Sequence, residues 1–130
     1  MGKLTADQAR DLASAFHDMS VAVGNFRFGN WDYLKKPERA SLESVQWTLL
    51  NYSSDFTATA ISLTLDDLQG TLQSIQDATA KATTAINRIK LVDKVLRIAS
   101  AAAGLGAAIV SGHPEAIGDG LKSVFDEATS

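Results

Sequence analysis

A chain of 130 residues with 45% apolar and 21% charged residues has room for one domain and one core, without covalent staples. Its net charge of −3 and pI near 5.2 argue against bulk nucleic-acid binding, which needs clustered Lys and Arg to displace counterions from phosphates. The absence of Cys excludes disulfides, thiolate metal sites and a cysteine nucleophile.

The first residues, Met1 to Asp7, contain no apolar run, so no signal peptide is expected. Ala6 stands where a myristoylation signal wants Ser or Thr. The longest uncharged stretch, Ile98 to Pro114, falls short of the roughly 20 apolar residues of a spanning helix, so a soluble protein is expected.

Thr5 and Gln8 have the spacing of a capping box and predict the start of a first helix. Ala9, Leu12, Ala13, Phe16, Met19, Ser20 and Val23 then share one face, and Gly24-Asn25 is expected to close the helix. Residues 24–37 form a turn-rich connection carrying Phe26, Phe28, Trp31 and Tyr33. Pro37 suits the first turn of a second helix, whose apolar series is Leu42, Val45, Leu49, Tyr52, Phe56, Ala60 and Leu63. The alternation FTATAISLTL at 56–65 leaves a short strand or a helix break open there.

From Leu65 a second series (Leu68, Leu72, Ile75, Ala82, Ile86, Ile89) is out of phase with the first, which places a boundary near Thr64. Thr64, Asp66 and Asp67 supply a capping hydroxyl and two carboxylates at the positive end of the helix dipole. This third helix is expected to run on towards Leu96 and through the apolar segment, until Gly112-His113-Pro114 ends it. A last helix opened by Pro114 turns Ala116, Ile117, Leu121, Val124 and Phe125 inward. The expected fold is all-α, a compact single-domain bundle of four to five helices with a long third helix.

Chemistry finds little purchase in this sequence. His17 and His113 lie in different elements, and no His-x-x-x-His or Glu-x-x-His pair exists, so no metal site is expected. Gly104-Leu105-Gly106-Ala107-Ala108-Ile109 nearly matches a dinucleotide fingerprint but has Ile109 at the third glycine and no preceding strand. No cofactor and no enzymatic activity are expected.

Contact surfaces are the better prospect. Ser100, Gly104, Ala108 and Gly112 recur every four residues, beside Ala99, Ala103 and Ala107. Small residues so spaced let helix backbones approach closely, either within the bundle against the aromatics of the first two helices or across to another chain. Arg88, Lys90, Lys94 and Arg97 form a basic stretch that either faces water and acidic neighbours or makes a collar for anionic lipid. Phe26, Phe28, Trp31 and Tyr33 either plug the bundle end or form an exposed anchor.

Residues 64–125 resemble α-helical pore-forming toxins of the cytolysin A and haemolytic enterotoxin type. The likeness is a Ser/Thr/Gln/Asp-rich amphipathic helix (TLDDLQGTLQSIQDATAKATTAI) running into a small-residue apolar segment (IASAAAGLGAAIVSG). The resemblance implies a segment packed away in the soluble form that enters membrane on assembly. Two functions are therefore expected: self-association or protein-partner binding through 98–112, or membrane attachment through 98–112 and the basic stretch. A small apolar ligand held between helices is a third.

Overall fold

The computed structural model describes residues 2–3, 5–58, 62–63 and 68–129, and within them the chain is an all-α bundle. The helices are α1 (Ala6–Gly29), α2 (Lys36–Ala58), α3 (Leu68–Arg88), α4 (Val92–Ser111) and α5 (Pro114–Thr129). The alternating stretch at 56–65 ends α2, and Ser62–Leu63 (β2) then pairs antiparallel with Gly2–Lys3 (β1). The expected cap at Thr64, Asp66 and Asp67, and the positions Ala60 and Leu65, lie outside the described residues.

The start of α1 is written locally. The Thr5 hydroxyl accepts from the Gln8 N–H at 3.1 Å, and the Gln8 amide oxygen accepts from the Thr5 N–H at 2.9 Å. Leu12, Ala13, Phe16, Met19, Ser20 and Val23 are buried, as their spacing requires. The expected stop at Gly24-Asn25 is wrong, because α1 continues to Gly29. Gly24 is buried against α2, where an added Cβ would lie 2.7 Å from the terminal amide of Gln46, a flexible group that can move aside. Asn30 ends the helix instead, its backbone and side-chain N–H groups both donating to the Phe26 carbonyl.

Around one contiguous core, α1 packs on α2 and α3, α2 on α4, α4 on α5, and α5 on α3. Ser53 of α2 donates to the Ala13 carbonyl of α1 at 2.7 Å, and Arg27 lies 3.2 Å from Glu43, so these two helices are antiparallel. Tyr52 abuts Gly106, while Ala40, Ser41 and Ser44 share a groove with Leu96 and Ser100, so α4 runs parallel to α2. The 30–35 connection and the α3–α4 connection therefore lie at the same end of the bundle.

The single long helix expected from 65 to 112 is instead two. Leu91 is extended (φ −97°, ψ 119°) and starts α4. Neither Gly nor Pro causes the break. Ile86 and Val95 are both buried, yet nine residues are about two and a half helical turns, so one straight helix would aim them oppositely. Breaking at 89–91 lets both stripes reach the core.

Gly112 ends α4 with φ 74°, a left-handed conformation, and its N–H donates to the Ala108 and Ile109 carbonyls. Gly112→Ala is expected to lower stability by about 1 kcal/mol, because a Cβ is disfavoured at that φ. Urea denaturation checks this, and an unchanged midpoint would remove the cap from the account.

Candidate functional site

The small-residue segment is divided between core and surface. Val95, Ile98, Ala102, Leu105 and Ile109 are buried, and Gly106 meets the aromatics of the first two helices: its Cβ position lies 2.6 Å from Tyr52 Cδ2 and 3.0 Å from Phe16 Cε2. The opposite face is open. Ser100, Gly104, Ala107 and Ser111 are exposed, and nothing stands within 4 Å of a Cβ on Gly104.

The four-residue row read from the sequence does not hold together. Each step of four residues overshoots a full turn by about 40°, so a row that begins outward at Ser100 and Gly104 slides towards α5. Ala108 is buried and Gly112 is the cap. The continuous open stripe is Ser100, Gly104, Ala107 and Ser111. A groove of about 630 Å³ toward α2 flanks it on one side. Another of about 500 Å³ toward α5, lined by Gly104, Ala116, Asp119 and Gly120, flanks it on the other.

A second surface lies at the end shared by the two connections. Of the four aromatics, Phe26 is buried and closes the core, whereas Phe28 (61% exposed), Trp31 (42%) and Tyr33 (88%) stand out, so the plug is Phe26 alone. Phe28 and Trp31 stack with centroids 6.1 Å apart. The Arg27 guanidinium sits 4.5 Å from the Phe28 ring centre, and that of Arg39 sits 4.5 Å from that of Trp31. Arg39 also donates to the Trp31 carbonyl through Nε (3.0 Å) and Nη2 (2.8 Å). Arg27 is largely buried; its Nη1 is near enough to Glu43 for an ion pair but off the direction of a hydrogen bond. These contacts hold Trp31 and its short 3-10 turn, Trp31–Tyr33, in one place.

The basic stretch is spread over three elements. Arg88 ends α3 and Lys90 lies in the connection, both exposed. Lys94 is half-buried in the first turn of α4, and Arg97 lies 3.7 Å from Glu127 of α5. The stretch is thus partly neutralised by α5, with Arg88 and Lys90 left at the bundle end. Leu91, Lys35, Lys36 and Arg39 also gather at this end and were not singled out by sequence. Only the fold brings 30–39 and 88–94 together.

Among the described residues no three metal-ligating side chains converge. The glycine fingerprint lies mid-helix in α4, where the N–H groups that would cradle a pyrophosphate are already bonded within the helix. The described grooves are open to the surface, with no enclosed chamber for an apolar ligand among them. By length and composition alone α4 is long and apolar enough to cross a membrane, a test that the core helix of a bundle also passes; 44% of that apolar window is buried. No family model, no curated protein and no solved structure matches this chain.

Proposed function

We propose that this chain is a non-enzymatic contact protein that pairs with a second copy of itself across the open face of α4. Gly104 is the observation that carries the reading. It is a mid-helix glycine whose Cβ position has no atom of another element within 4 Å among the described residues, and it costs the helix about 1 kcal/mol relative to Ala. A second helix crossing close over it gives that cost a reason. The grooves on either side give such a helix walls.

The face suits its own copy. In an antiparallel two-fold pairing that crosses at Gly104, Arg97 of one copy comes level with Ser111 of the other, beside Glu115 in the first turn of α5. An isologous contact makes each such pairing twice. Light scattering at tens of micromolar is expected to report twice the 13.8 kDa chain mass. Gly104→Leu is expected to return it to monomer with its helix content intact. A monomeric parent protein, or a dimer indifferent to Gly104→Leu, refutes the reading.

Membrane insertion of α4, as the toxin resemblance implies, is a second reading favoured by the length and apolar composition of that helix. It requires Val95, Ile98, Leu105 and Ile109 to leave the core. Dye release from vesicles that begins only on acidification would support it, and intact vesicles throughout would end it.

A further inference from the structure

The geometry points to the connection end of the bundle as a docking face for an anionic bilayer surface, reached with the five helices still folded. The two segments at that end, 30–39 and 88–94, carry six Lys and Arg against three Asp and Glu, in a chain whose net charge is −3. One of those carboxylates is already engaged, because Glu38 Oε1 accepts from the Lys35 N–H at 2.7 Å. The other two are Asp32 and Asp93, the latter in the first turn of α4. Asp126 and Glu127 of α5 lie further from the tip, where Glu127 faces Arg97.

Apolar side chains project from the same end on separate segments. Phe28 at the end of α1 and Tyr33 in the following turn are exposed, and so is Leu91 (72%) beside Lys90. Large apolar groups exposed amid an excess of positive charge are useful at a lipid headgroup layer. There Trp and Tyr keep a polar edge wet while the ring sits among acyl carbons, and Lys and Arg meet anionic headgroups. Such a site binds by two signals together, shallow apolar insertion and charge attraction. The stacked Phe28–Trp31 pair, held by Arg27 and Arg39, keeps the aromatic side ordered before contact. This face is distinct from the open stripe of α4.

The test is flotation with vesicles of phosphatidylcholine alone and with about 30% phosphatidylserine. The protein is expected to float with the second and stay behind with the first, and to be released at about 0.5 M salt. Tyr33→Ala with Leu91→Ala, and separately Lys35→Glu with Lys90→Glu, are expected to weaken flotation at least about tenfold while circular dichroism stays helical. Gly104→Leu, as a monomer, is expected still to float with the phosphatidylserine vesicles and not with phosphatidylcholine alone, which separates this face from the dimer contact. Equal flotation with both vesicles, none with either, or undiminished flotation of the Tyr33/Leu91 variant overturns the assignment. So does binding of poly-glutamate without flotation, which would make the occupant an acidic protein.

Discussion

Replacing Phe16 by Ala is expected to cost about 3–5 kcal/mol in equilibrium denaturation. Phe16 is fully buried where three helices meet. It stands edge-on to Phe56 of α2 with ring centres 5.0 Å apart and to Tyr52 at 6.4 Å, and its ring also faces Gly106 of α4. Removing the ring deletes its own burial and strips contacts from all three neighbours. The cavity cannot close cheaply, because each neighbour is fixed by a different helix. A domain of this size has about 5–15 kcal/mol in total, so the variant should melt far earlier and populate unfolded chain near body temperature. A loss below about 1 kcal/mol would mean that α1, α2 and α4 do not share this contact.

Alanine at the two glycines of α4 is expected to act with opposite sign. At Gly106 the new Cβ would stand 2.6 Å from Tyr52 Cδ2 and 3.0 Å from Phe16, so rings must shift. Overpacking of that kind costs about 1–3 kcal/mol, against a gain in helix propensity of about 1, so a net loss is expected. At Gly104 no atom lies within 4 Å, and Ala should stabilise the isolated chain by about 0.5–1 kcal/mol. The pair separates the two uses of small residues in one segment. Urea midpoints measured at low concentration, where the proposed dimer is dissociated, provide the comparison. Two losses of similar size would show that Gly104 is packed inside the molecule.

The two proposed surfaces differ in character. The stripe of α4 is neutral and shallow, which suits the proposed contact with a like helix. The connection end is aromatic and positively charged, so its contacts should respond to salt. A dimer formed across α4 would leave both such ends free, and two weak bilayer contacts on one particle bind far more tightly than one.

The sequence by itself determined the features that depend on neighbours within a turn or two. The Thr5–Gln8 box, the stripe from Leu12 to Val23, the start of α2 at Pro37, the Gly112 cap and the inward residues of α5 are all products of helical period and local hydrogen bonding. The break at 89–91 was also present as a phase conflict between Ile86 and Val95, the same kind of signal that marked a boundary near Thr64, but no Gly or Pro drew attention to it. Tertiary structure alone decided what each ambiguous residue meets. Gly24 resembles a stop signal until it is seen buried against α2, and Gly104 and Gly106 are indistinguishable until Tyr52 and Phe16 stand over one of them. Phe26 and Phe28 differ in fate because only one points along the stripe that α1 buries. Glycine and aromatic side chains carry no record of their partner, since close approach and burial are properties of two surfaces, and the second is supplied by a helix distant in the chain.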